Sequence, residues 1–143
     1  MVAALHLLRY LKGTLDFGLF YSNNLDFSVK AYTDSDWASF PDTRKSVSDY
    51  CIFLRDSLVG WKSKKHHVVS LSSAKAEYRV VRHVVVELVW LSQLLHDLTV
   101  PVSVFCNNMA ALHIAKNSVF HERTKHIEVD CHFIRNKLAE WFL

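Results

Sequence analysis

From Phe27 the chain alternates between two kinds of position. Phe27, Val29, Ala31 and Thr33 fall on one side, and Ser28, Lys30, Tyr32 and Asp34 on the other. A period of two is that of a half-buried strand, here ending at Asp34. Residues 47–54 and 59–63 read as two more strands, with Asp56-Ser57 as the hairpin turn between them. Pro41 presets a turn before them, and residues 67–71 continue extended. The period then changes. Val81, Val84, Leu88, Leu91 and Leu95 step by three or four and draw one apolar stripe along a helix. Ser72 or Ser73 caps its start, and it stops near Leu98, before Pro101. Four residues back along the stripe stands Glu77, a carboxylate at a core-facing position that calls for a cation, a hydrogen bond or water.

The flanks are simpler. Residues 3–10 carry apolar positions at helical spacing, and Lys12-Gly13 ends that helix. Residues 19–21 read as a short strand and Ser22-Asn23-Asn24 as a turn. Residues 102–106 form a short buried-type strand ending at Asn107, residues 108–116 a short helix, and residues 127–143 a last helix with Ile127, Cys131, Ile134 and Leu138 on one face. Antiparallel strands followed by alternating helix and strand predict an α/β fold, a mixed sheet with helices packed on it. Asp34 and Asn107 then lie at two strand ends, and Glu77 opens the helix between those strands. Sites in open α/β sheets gather at such ends.

Composition narrows the reading a little. The chain has 143 residues, half of them hydrophobic, enough for one domain with a real core. The balance of 17 Lys+Arg against 14 Asp+Glu permits nucleic-acid binding without demanding it. Cys51, Cys106 and Cys131 form no paired motif and are expected as buried apolar thiols. Trp37, Trp61, Trp90 and Trp141 are expected in the core rather than as base-stacking platforms. His121, His126, Cys131 and His132 fit no zinc spacing. Neither a signal peptide nor a membrane span is expected. Lys62, Lys64 and Lys65, beside His66 and His67, form the densest basic run and are candidate phosphate contacts, with a solvated loop as the plainer alternative.

Four stretches add identity: Tyr32-Thr33-Asp34-Ser35-Asp36-Trp37, Ser72-Ser73-Ala74-Lys75-Ala76-Glu77-Tyr78, Val104-Phe105-Cys106-Asn107-Asn108 and Thr124-Lys125-His126-Ile127-Glu128. In this order they resemble the ribonuclease H domain of copia-type LTR retrotransposon Pol polyproteins. Leu8-Arg9-Tyr10-Leu11-Lys12-Gly13-Thr14 is similar to the segment that joins reverse transcriptase to that domain. The resemblance implies a connecting segment over residues 1–24 and a ribonuclease H-like domain over residues 25–143, without the family's last strand and helix. It implies cleavage of the RNA strand of RNA–DNA hybrids with two Mg²⁺ or Mn²⁺ ions. Asp34 and Glu77 take metal-ligand positions, and Asn107 stands where the family has Asp. Lys125 joins the three lysines as a nucleic-acid contact. The implied partners are the hybrid and the rest of the polyprotein with its reverse transcriptase. The implied place is intracellular, in cytoplasmic retroelement particles or the nucleus, with no membrane association. Asn107 makes impaired hydrolysis the expectation. A catalytically inactive remnant that keeps the fold and weak nucleic-acid binding, and a structural or partner-binding domain, are the alternatives.

Overall fold

The computed structural model describes residues 2–95, 100–116 and 125–141, the last with side chains from residue 131. The elements in order are α1 (Val2–Gly13), β1 (Val29–Asp36), β2 (Val47–Leu54), β3 (Ser57–Lys65), α2 (Ser73–Leu94), β4 (Val102–Cys106), α3 (Met109–Lys116) and α4 (Lys125–Trp141). The four strands form one sheet in the order β3-β2-β1-β4. β1 is therefore interior. It pairs antiparallel with β2 from Val29↔Leu54 to Asp36↔Val47, and parallel with β4 from Val29↔Val102 to Thr33↔Cys106.

The stripe read along α2 is the centre of the core. Val84 and Leu88 pack with Val29, Ala31 and Ile52 of the sheet and with Val102. A second row, Tyr78, Val81 and Val85, packs with Ala111 and Ala115 of α3 and with Cys131 and Ile134 of α4. One helix thus holds the sheet on one side of its circumference and two helices on another. Its first turn is fixed by Ser72, whose Oγ accepts from the Lys75 N–H at 3.3 Å. Such a cap contributes about 1 kcal/mol. Asn108 caps α3 in the same way, with Oδ1 accepting from the Ala111 N–H at 3.0 Å.

Several expectations shift. Pairing continues past Asp34 to Asp36, because Ser35 and Asp36 still find partners in Ser48 and Val47. β3 is longer than expected at both ends, and Leu54↔Ser57 pairing moves the hairpin turn to Arg55-Asp56. Arg55 there has φ 59, a left-handed backbone that costs a side-chain-bearing residue about 1 kcal/mol. Its guanidinium lies 3.5 Å from the centre of the Phe27 ring, and its N–H donates to Ser28 O, contacts that offset the strain. Residues 19–21 form no strand, since no neighbouring strand receives them. Residues 67–71 bend rather than extend. α2 is described to Leu94, and the expected end near Leu98 lies outside the described residues.

Two expectations about apolar residues are corrected. Cys131 is buried, but Cys51 and Cys106 are half-buried. Trp37, Trp61 and Trp90 are exposed, and only Trp141 packs against the core. For Cys51 and Trp61 the reason is one-sided covering: the described helices that pack on the sheet lie over the face that carries Ala31 and Ile52. On the other face Tyr32 stacks on Phe105 at 4.9 Å and meets Phe53 edge-on at 5.9 Å. Trp61 continues that row through Cys51, its partner in the ladder. No described helix is long and apolar enough to cross a membrane. α1 buries none of its residues, and Leu5, Leu8 and Leu11 stay exposed.

This contrast predicts two stabilities. Leu88→Ala, at a site 1% exposed, should cost about 2–5 kcal/mol in urea unfolding. Leu8→Ala, at a site 60% exposed, should stay within about 0.5 kcal/mol of the native chain.

Candidate active site

Three of the residues singled out in the sequence meet at one end of the sheet. Asp34 is carried by β1, Glu77 by the second turn of α2, and Asn107 directly follows β4. The Asn107 side-chain amide donates to Asp34 Oδ1 at 3.2 Å. One residue further along β1, the Ser35 N–H donates to Glu77 Oε1 at 3.2 Å. Parallel pairing of β1 with β4 brings Asn107 beside Asp34. The helical stripe brings Glu77 over the same strand. The site is therefore a product of topology, assembled from segments far apart in the chain.

Burial differs sharply among the three. Asp34 and Asn107 are exposed, whereas Glu77 is 5% exposed. Burial raises the Glu77 carboxyl above its ordinary range, and the Asp34 charge raises it further. The Ser35 N–H pulls in the opposite direction, and Asp36 adds a smaller upward push. Glu77 Oε2 is buried with no hydrogen-bond partner among the described residues. A buried carboxylate oxygen left in this way suits a cation.

The complete donor set suits two cations poorly. Hard divalent ions such as Mg²⁺ take charged oxygens and keep their waters. Here two carboxylates face a neutral amide, and that amide presents its N–H to Asp34. A carboxylate oxygen engaged by a donor is a weaker ligand, and the donor stands where a cation would. Among the described residues no three His, Cys, Asp or Glu side chains gather in a way that could hold a metal ion. The residues present do not fit a two-ion centre.

The surroundings add partners that the sequence pattern did not single out. Trp37 Nε1 donates to Ser70 O at 2.9 Å and ties the end of β1 to the loop before α2. Ser46 Oγ accepts from the Ala38 N–H at 3.0 Å, where Ala38 turns with φ 53. Asp49 pairs with Asp34 across β1 and β2, so two acidic residues face each other there. Register supplies that neighbour, and register was not legible from spacing.

Lys62, Lys64 and Lys65 line one cleft with different neighbours. Lys62 and Lys64 pair with Tyr50 and Ser48, on the side where Ile52 meets α2. The Lys65 ammonium instead lies 3.4 Å from the centre of the Phe40 ring. The Lys125 side chain lies outside the described residues.

No family model matches the chain. It is 42% identical over 135 residues to the retrovirus-related Pol polyprotein from transposon RE2 of Arabidopsis thaliana, covering 92% of this chain. It is 40% identical over 136 residues to that from transposon RE1 of the same plant, again covering 92% of this chain. The chain spans 9% of the length of each of these polyproteins. Among solved structures, LC11-RNase H1 isolated from compost aligns with a TM-score of 0.58 at 14% identity, over 80% of this chain and 77% of that one. At that identity the likeness speaks for the fold alone.

The raised Glu77 value has a measurable sign. In the unfolded chain the carboxyl has its ordinary value of 4.5, and folding raises it. The stabilisation that goes with the neutral form is full below the ordinary value. It is lost as pH rises through the raised one. Glu77→Gln keeps an oxygen for the Ser35 N–H and carries no charge. Urea unfolding should show the variant gaining stability relative to the native chain as pH rises from about 4 to about 8. A difference that stays constant across that range would contradict the burial argument.

Proposed function

We propose that this chain, a ribonuclease H-fold segment whose homologues are retrovirus-related Pol polyproteins of copia-type transposons, binds RNA–DNA hybrids and hydrolyses them poorly or not at all. The observation that carries this reading is the Asn107 amide on Asp34 Oδ1. An Asp at that position would offer a charged oxygen pair to a cation. The amide offers one neutral oxygen and points its N–H at the remaining carboxylate. Metal-assisted phosphodiester cleavage gains most of its rate from held charge and positioning, so loss of one ligand should cost roughly 100-fold or more.

Within this reading Asp34 and Glu77 keep the two ligand positions, and Glu77 Oε2 is the better preserved of them. What a divalent ion would supply there is an activated water and charge stabilisation. The rest of the polyprotein, including a reverse transcriptase, is the proposed physical context, in intracellular retroelement particles. Recognition of a hybrid would run through backbone and 2′-hydroxyl contacts rather than base sequence.

The test is cleavage of a labelled RNA–DNA hybrid with Mg²⁺ or Mn²⁺, beside a binding titration of the same hybrid. The native chain should bind and not cleave measurably. Asn107→Asp should tighten Mn²⁺ binding, read by calorimetry, while restoring little turnover. Robust cleavage by the native chain that Asp34→Asn abolishes would overturn the impaired reading. Absence of hybrid binding would remove the hybrid as substrate.

A further inference from the structure

Residues 66–72 connect β3 to α2, and polar links fix their place. The apolar side chains of this segment, Val68, Val69 and Leu71, are all exposed, so buried carbon holds it weakly. Two buried residues, His66 and Ser70, do the holding. The His66 N–H donates to Ser46 O at 2.8 Å. The imidazole then lies between two hydroxyls. Its Nε2 meets Ser48 Oγ on β2, and its Nδ1 meets Ser70 Oγ at 3.5 Å. Ser70 carries the link further. Its Oγ accepts from Arg79 Nη1 on α2 at 3.1 Å, and its carbonyl accepts from Trp37 Nε1 at 2.9 Å. Two residues later Ser72 caps α2. One ring thus ties β2 to the segment that anchors Trp37 and opens the central helix.

A neutral imidazole has one donor and one acceptor nitrogen. With a hydroxyl at each, one serine O–H donates to the ring, and the ring N–H donates to the other serine. A further proton ends that arrangement. Both nitrogens become donors, and the hydroxyl that had donated to the ring must turn its proton away. Ser48 and Ser70 are buried, so the displaced O–H has no water to meet, and an unpaired buried donor is disfavoured.

Charge acts in the same direction. Burial first, then the charges of Arg79 and His83, holds the ring below its ordinary value of 6.5. The cleft beside it is lined by Lys62, Lys64 and Lys65 of β3, by His67, and by Arg79, Arg82 and His83 of α2. No carboxylate among the described residues answers the ring. Glu87 lies 3.9 Å from Lys62, and Glu77 is bound to Ser35 of β1. Asp49, next to Ser48 on β2, alternates to the other face of the sheet. Tyr50, pushed up to about 12, stays neutral.

We propose that His66 is a proton-operated latch: its neutral ring holds residues 66–72 against β2, and its protonation frees that segment together with the Trp37 side chain it anchors. The effect reaches the candidate active site, since Trp37 follows the end of β1 and Ser72 opens the helix that carries Glu77. It does not depend on the hybrid-binding reading. The closed form takes up the proton less readily than the open one. Its advantage is therefore full above the ring's ordinary value and is lost as pH falls through the lowered one.

The test follows the full ¹⁵N-labelled chain by NMR against pH. Two signals are read: the ring nitrogens of His66, and the indole N–H of Trp37, assigned by its loss in Trp37→Phe. His66 should titrate below 6.5, and the Trp37 signal should move with the same midpoint while far-UV circular dichroism stays that of the folded chain. His66→Gln keeps an oxygen and an N–H for the two serines and takes up no proton, so its Trp37 signal should stay fixed. Relative to that variant, opening around Trp37, read by exchange of its indole hydrogen, should grow roughly tenfold per pH unit below the ordinary value. Glu77→Gln should keep the movement, which separates the latch from titration of the site carboxyl. A His66 midpoint at or above 6.5 would overturn the latch, as would a Trp37 signal that stays still while His66 titrates. Equal movement in the native and His66→Gln chains, or its loss in Glu77→Gln, would place the pH response elsewhere and overturn it too. Coincidence of the two midpoints is read in the native chain, so it decides even where a variant does not fold.

Discussion

The hydrogen bond from the Ser35 N–H to Glu77 Oε1 joins the middle strand of the sheet to the helix that organises the core. The geometry of the site depends on it. An interior strand normally spends its N–H groups on neighbouring strands. Near its end β1 has outrun β4, whose pairing stops at Thr33↔Cys106, so the Ser35 group is available to a side chain. A carboxylate buried to this extent needs such a donor. The bond ties β1 to the same helix whose Val84 and Leu88 pack on Ala31 and Ile52.

Charge is partitioned around that link. Asp34, Asp36 and Asp49 surround one end of β1, while the cations of β3 and α2 line a separate cleft. Glu77 and Arg79 are two residues apart on α2, which on a helix means nearly opposite sides. One turn of helix therefore serves both regions. Asn107 beside Asp34 brings an amide rather than a further carboxylate to that region, with nearly the same outline as an aspartate.

Much of this was legible in the chain. The alternation around Val29 and Ala31 and the stripe through Val84 and Leu88 reported β1 and α2 because both elements bury one face. The convergence of Asp34, Glu77 and Asn107 followed from strand ends and the helix between them. Other features lay beyond periodicity. The exposure of Trp61 depends on which sheet face is covered, and an apolar side chain carries no mark of that. The contact of the Lys65 ammonium depends on one aromatic ring, Phe40, from a distant turn. Arg79 and Arg82 stand at helical spacing in the chain, but that they line a cleft with the lysines becomes visible only when β3 supplies the facing wall.

The parallel pairing of β1 with β4 also has a kinetic side. β1, β2 and β3 follow one another through short connections and can associate early. β4 follows α2 in the chain, and Asn107 meets Asp34 across a sequence separation of 73. Closing so long a loop is the slow event in a chain of this topology. The site therefore requires the long-range pairing of β1 with β4 and cannot form from either segment alone. The site thus reports directly on that long-range pairing: wherever Asn107 lies beside Asp34, β4 has joined β1.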